Sequence, residues 1–481
     1  MRHGRFFLCA ALALLLAMAS FTAALAATSK ISKLKSGDPI PTDPTVTVGR
    51  LDNGLRYYIK ANRNPEHRAY LYLAVNAGSV LEDDDQLGLA HFVEHMGFNG
   101  TKHFPKQEIV KYLESLGFGF GCMGGLNAYT SFDNTVYTLM VPTDTLEAMV
   151  KGIQILEDWA RWALLEDEEI AKERGVILEE WRLYRGPEMR LLEKELPVVF
   201  ANSRYAERLP IGTRESIEKS TPEAIRRFYR DWYRPDLMAV IAVGDFDAKW
   251  IEKLVREHFA SMPPAENPRP RTEYDIPHHG EMLFSVANDP EDTGTVISVY
   301  FKSDPASYKT VGDFRRKLIG RLHDDMFNRR LGDLARTNDS PILRAFTRTG
   351  HLGKSKDVYV MSAWVPENGV ERALEALLTE VARVKYHGFT QAELDREKSL
   401  WLRIEDWGDQ GTKLGSGYYI MQFFSNFLRG DPIVSPDDKR ELNRRFIKGI
   451  TLDDVNGVLT QWFDTSSRSL LASMPAKEGV L

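Results

Sequence analysis

Residues 135–153 read TVYTLMVPTDTLEAMVKGI, and residues 359–377 read YVMSAWVPENGVERALEAL. In each, an apolar run closes at a Val-Pro pair, Val141-Pro142 or Val365-Pro366, and an amphipathic segment follows. The first stretch predicts a strand over Thr135–Val141 and a helix over Thr145–Trp162. At a constant offset of 224 residues (Pro142 to Pro366), Leu146-Glu147 falls on Val370-Glu371, Val150 on Leu374 and Ile153 on Leu377. The register continues through Glu169 and Glu393, Ile170 and Leu394, Glu173 and Glu397, and Leu178 and Leu402. One strand and two helices recur without a gap, which points to duplication of a whole domain rather than to a short solenoid repeat.

Working outward, Tyr70–Val75 and Met238–Val243 read as further strands. Gly88–Met96, Lys106–Leu116 and Glu168–Leu183 read as helices, with Pro105 at the start of the second. Ser220-Thr221-Pro222-Glu223 carries a helix N-terminal signal. Prolines 263, 264, 268, 270 and 277 mark a link. The expected layout is a segment 1–26, a first domain 40–262, a proline-rich linker 263–280 and a related second domain 281–476. Alternating strands and helices give an α+β class, each domain a mixed β-sheet packed with helices.

The chain has 481 residues, 43% hydrophobic and 27% charged, with a formal net charge of −6. That is enough apolar material for a large core, and it excludes a disordered tail or a disulfide-stapled miniature. Arg2 and Arg5 precede an apolar run over Phe6–Met18, and Ala24-Leu25-Ala26 offers a small-x-small cleavage pattern. This reads as a secretory signal peptide cut near Ala26. Removing two arginines and no acids moves the charge from −6 to −8, and no basic stripe calls for nucleic acid. Of two cysteines, Cys9 leaves with the signal and Cys122 stays without an intrachain partner. An exported chain without an internal disulfide fits a periplasm.

His91-Phe92-Val93-Glu94-His95 carries the chemistry. On a helix, His91 and His95 project from one face, one turn apart, so both imidazoles can hold one ion. Glu94 falls between them, where its carboxylate could hold a water. Two imidazoles leave Zn²⁺ with coordination to spare, so a third ligand is expected. Candidates lie on the segment 172–181: Glu173 and Glu180 are two turns apart on one face, and Glu179 points about a third of a turn away from Glu180. The reading takes Glu180 as ligand and Glu173 as a carboxylate orienting the site, although spacing alone does not separate either from a solvated helix glutamate. The repeat helps, because Ile404 stands opposite Glu180 while Glu173 keeps a counterpart in Glu397. His323 and His351 are not at ligand spacing, and His278-His279 reads as a solvated linker pair.

These residues, followed by Met96-Gly97-Phe98-Asn99-Gly100-Thr101, resemble the active-site segment of the insulinase/pitrilysin zinc peptidases. Asn127-Ala128-Tyr129-Thr130-Ser131 resembles their substrate-strand motif, and the segment from Glu173 to Glu180 their distal glutamate helix. Pro210-Ile211-Gly212, Trp232-Tyr233-Arg234-Pro235 and Gly244-Asp245 resemble structural signatures of the same domain. The resemblance implies one Zn²⁺ per chain held by His91, His95 and Glu180. It implies two catalytic glutamates, Glu94 as general base and Glu173 as the family's supporting carboxylate, with Asn127 and Ala128 contacting the substrate backbone. It further implies a periplasmic endopeptidase acting on unfolded or short peptides, similar to the exported coenzyme-PQQ-synthesis-like branch. The two domains would form one half of a peptidase clamshell, completed by a homodimer partner, a separate subunit or a missing C-terminal portion. The alternative is a non-catalytic assembly subunit. One departure from the family pattern is the 84-residue spacing from His95 to Glu180, longer than usual, with the excess expected in the glycine-rich stretch Gly117–Gly125.

Overall fold

The computed structural model describes residues 31–121, 125–408, 414–463 and 466–477. The expected signal segment 1–26 and Cys122 lie outside the described residues.

The chain builds two mixed sheets. The first holds β1 (Thr47–Arg50), β2 (Arg56–Ala61), β3 (Arg68–Val75), β4 (Gly119–Phe120), β5 (Gly125–Thr130), β6 (Thr135–Pro142) and β7 (Met238–Gly244) in the order β1-β2-β7-β3-β6-β5-β4. The pairs β2–β7 and β4–β5 are parallel and the others antiparallel. The second sheet holds β8 (Leu283–Asp289), β9 (Thr295–Ser303), β10 (Arg344–Leu352), β11 (Lys356–Val365) and β12 (Arg468–Pro475) in the order β10-β11-β9-β12-β8.

The repeat is visible in the elements. β6 leads into helix Leu146–Arg161 and then helix Asp167–Tyr184, and β11 leads into Val370–His387 and then Gln391–Gly408. Both second-copy helices begin 224 residues after their first-copy equivalents (146 to 370, 167 to 391). The helix expected from Lys106 begins instead at Glu108, because Lys106 is held left-handed at φ 55°.

Both faces of the first sheet are covered, so its interior strand β7 is buried along its whole length. One face carries the helix Leu89–Met96, the helices 146–161 and 167–184, and the helix Pro222–Trp232, which starts at a Thr221 cap. The other face receives the helix Ser416–Arg429 from the second half of the chain, with Phe423 stacked on Tyr58 at 5.5 Å. Burying an aromatic or aliphatic side chain of this size contributes about 1.5–3 kcal/mol. The core of the first sheet also takes in Leu352, Val358, Val360 and Leu471 from the second. The proline-rich segment runs along the first sheet's flank: Ile276 is buried, Arg269 pairs with Asp83, and Arg271 with Asp133.

Candidate metal centre

The helix Leu89–Met96 buries Leu89, Phe92, Val93 and Met96 against the sheet and turns His91 and His95 toward the opposing helix 167–184. Its N-cap, Gly88, has φ 86° and offers no side-chain cap. A Cβ there would lie 2.9 Å from the Gly212 Cα, so both the turn and the packing require glycine. The missing cap is supplied by Glu82, fully buried, whose carboxylate accepts the Gly88 N–H at 3.0 Å and the Ala90 N–H at 2.8 Å.

Three donor atoms converge between the two helices. His95 Nε2 lies 3.2 Å from His91 Nε2 and 3.1 Å from Glu180 Oε2, and His91 Nε2 lies 3.7 Å from Glu180 Oε1. Zn²⁺ bound tetrahedrally at about 2.0–2.1 Å needs ligand atoms about 3.3–3.4 Å apart, so this triangle fits one ion. It is the one group of three metal-competent side chains among the described residues. Glu179 is turned out to solvent and paired with Arg182 at 2.6 Å, so of the two candidate ligands only Glu180 faces the histidines.

Around the triangle, Glu173 Oε1 sits 2.7 Å from His95 Nδ1, and Asn99 donates to the other Glu173 oxygen. Glu173 therefore acts through His95, fixing its ring and tautomer, rather than facing the cleft. Its repeat counterpart, Glu397, is buried in an ion pair with Arg329, and Ile404, opposite Glu180, is exposed. Glu94 is 5% exposed, and the Thr130 hydroxyl donates to its carboxylate at 2.7 Å. Arg174 fixes the helix 167–184 by donating to the Ser220 carbonyl and hydroxyl.

The electrostatics follow from burial and these contacts. Burial pushes the Glu94 carboxyl up to about 7 against the opposing Thr130 bond. Burial, assisted by His95, pulls His91 down to about 4. Burial also works against charge on His95, but Glu173 and Glu180 outweigh it and raise the imidazole to about 10. Burial resists charge on Glu180 too, yet the two imidazoles hold its carboxyl below the usual range. Two carboxylates thus draw positive charge to the point where the donor atoms meet, which suits a divalent cation.

The site opens on a cleft of about 650 Å³ lined by His91, Glu94, Asn127, Ala128, Phe132 and Glu180 among others. Asn127 and Ala128 lie inside β5, paired with Thr138 and Tyr137 of β6. In the glycine-rich stretch, Gly119–Phe120 forms β4 against the start of β5, and residues 122–124 lie outside the described residues. Sequence reasoning missed Glu82, Asn99 and Thr130 as supports. Asn99 and Thr130 lie within the motifs quoted above, but nothing in their spacing assigns them a partner.

Comparison with known proteins agrees with this geometry. Residues 57–201 match the family model described as Insulinase (Peptidase family M16), and residues 219–400 the one described as Peptidase M16 inactive domain. A probable zinc protease PqqL of Haemophilus influenzae is 32% identical over 455 residues, covering 93% of this chain and 48% of the relative. The crystal structure of the first half of the periplasmic protease PqqL from Escherichia coli superposes with a TM-score of 0.84 at 29% identity, covering 92% of this chain and 94% of that one. The structure of the longer Escherichia coli PqqL chain gives 0.83 at 29% identity, covering 91% of this chain and 48% of that one. The chain spans about half the length of the curated relatives it matches.

Proposed function

Because the chain belongs to the insulinase family, peptidase family M16, in its PqqL-like branch, we propose that it is the metal-bearing half of a zinc-dependent endopeptidase. His91, His95 and Glu180 hold one Zn²⁺ per chain. The observation that carries this reading is the donor triangle of 3.1–3.7 Å edges with a buried carboxylate, Glu94, in the same cleft.

Zinc, when bound, polarises a carbonyl and lowers the pKa of a water toward ~7. Glu94 takes a proton from the attacking water and returns it to the departing amide nitrogen. Burial tunes its carboxyl toward neutrality, where one group can do both. Glu173 holds the His95 ring, and Thr130 holds Glu94. Asn127 and Ala128 present the strand on which the substrate docks. The Leu126 carbonyl is taken by the Gly121 N–H at 2.8 Å, so by strand alternation the next outward-facing backbone groups, those of Ala128 and Thr130, form the free edge. An extended peptide adds there as a further strand, which selects unfolded or short substrates.

Within this reading, 1–26 is an export signal and the protein works in the periplasm. Residues 40–262 form the peptidase domain, 263–280 the link and 281–476 a related domain without zinc. A second half, whether another copy, a separate subunit or a C-terminal portion, closes over the cleft. A purely assembling subunit would have no use for a buried carboxylate beside the donor triangle. Zinc analysis and hydrolysis of a quenched peptide, by the wild type and by Glu94→Gln, test the proposal. One zinc in both and hydrolysis by the wild type alone support it. Absence of zinc, or equal hydrolysis by both, defeats it.

A further inference from the structure

Strand β5 has a second cleft behind it. On the side of the sheet away from the histidines, a groove of about 640 Å³ runs between the sheet and the helix 416–429. Tyr70, Tyr72 and Met140 line the sheet side, and Ile420, Met421 and Phe424 the helix side, with Tyr72 and Phe424 in edge contact at 5.5 Å. The volume lies within the range of about 300–1,000 Å³ typical of clefts that take small ligands. Its lining is mostly aromatic and aliphatic, with Asn127, Thr138, Ser425 and Arg429 adding polar groups, and Met421 is 69% exposed and Tyr129 47% exposed. Asn127 and Tyr129 line this groove and the metal cleft alike, whereas Ala128 and Thr130 line only the metal cleft. The two clefts therefore flank the same strand, β5, and share Asn127 and Tyr129.

Strand geometry fixes what reaches each cleft. Successive side chains of an extended peptide point to opposite faces of the sheet it joins. Residues set opposite Ala128 and Thr130 point to the histidine side, and those set opposite Asn127 and Tyr129 point to the groove. We infer that the groove is a side-chain subsite, so that the preferred peptide carries large apolar residues at alternate positions, held between the sheet and the helix 416–429. The inference rests on β5 as the docking strand in the proposed function. It gives the second half of the chain, which supplies that helix, a part in choosing the substrate.

The test uses the zinc-loaded full chain carrying Glu94→Gln, so that bound peptide stays intact. A fluorescent 12-residue peptide of alternating Phe and Ser is titrated against its all-Ser counterpart. The Phe/Ser peptide should bind at least tenfold more tightly. Adding Met421→Glu should abolish most of that preference, as should Met421→Lys, since either charge must be desolvated, while zinc content and all-Ser binding stay unchanged. Met421 is exposed, so neither variant threatens the core. Retention of the full preference in both variants overturns the subsite while leaving β5 docking in place. Failure of both peptides to bind overturns the docking reading with it. A change in mass in solution on replacing Met421 would show that a protein surface covers the groove, which also overturns the inference.

Discussion

Replacing Glu173 by Gln isolates the support of His95, one of the three ligands of the proposed zinc site. Glu173 Oε1 sits 2.7 Å from His95 Nδ1, and its other oxygen accepts from Asn99. The amide keeps the shape but loses the charge that steadies an imidazole bound to a cation. Loss of such outer partners costs about 10–100-fold in metal affinity, or about 1.4–2.8 kcal/mol at 1.4 kcal/mol per tenfold. The repeat supplies an internal control in Glu397→Gln, which removes the same side chain at the matching position. Glu397 is buried against Arg329 and lies on the copy that lacks the His91–His95 pair. Competition with a chromogenic chelator should show weakened zinc binding in Glu173→Gln and wild-type affinity in Glu397→Gln. Thermal unfolding should show the larger loss in Glu397→Gln, which takes a buried carboxylate away from the half-buried Arg329 guanidinium. Unchanged zinc affinity in Glu173→Gln, or an equal drop in both variants, would refute the reasoning.

Thr130→Val keeps the β-branched shape in β5 but removes the hydroxyl that donates to Glu94. A hydrogen bond to a charged group is worth about 1.5–3 kcal/mol, so kcat should fall about 10–100-fold with zinc content unchanged, and Thr130→Ser should restore it. Gly88→Ala places a Cβ 2.9 Å from the Gly212 backbone at φ 86°. It should lower stability by about 1–3 kcal/mol and weaken zinc binding, read by denaturant titration with and without the metal. For Glu157, burial alone would raise the carboxyl, but His258 and Arg161 hold it down at about 2. A depressed folded pKa gives stability that is complete above the unfolded value of about 4.3 and is lost as pH falls toward 2. Glu157→Gln should therefore be less stable at neutral pH and show a shallower acid decline over that window. An identical acid profile would contradict the assignment.

His91, Glu94 and His95 could be read from the chain because one helical segment carries all three and helix geometry fixes their relative directions. Glu180 could be separated from Glu179 for the same reason, and the structure turns Glu179 out to Arg182. The strand before the Val-Pro pair and its two helices were legible in both copies because the repeat doubles the signal. Glu82 was not legible. It begins an acidic run with Asp83, Asp84 and Asp85, and only the fold sets it apart by folding its carboxylate back onto the Gly88 and Ala90 amides. Asn99 and Thr130 find their carboxylates across 74 and 36 residues of sequence, distances that no local pattern encodes. Strand β8 escaped notice because its apolar residues Phe284 and Val286 remain exposed at the sheet edge, which blurs the alternation that marks a half-buried strand.

The central claim is that His91, His95 and Glu180 together hold one zinc ion. The X-ray absorption spectrum of the zinc-loaded chain, wild type and with Glu180→Ala or Glu179→Ala, tests it most directly. The account predicts a first shell of nitrogen and oxygen at about 2.0–2.1 Å with the signature of two imidazoles, altered by Glu180→Ala and unchanged by Glu179→Ala. A sulfur shell, or a spectrum altered by Glu179→Ala and untouched by Glu180→Ala, would contradict it.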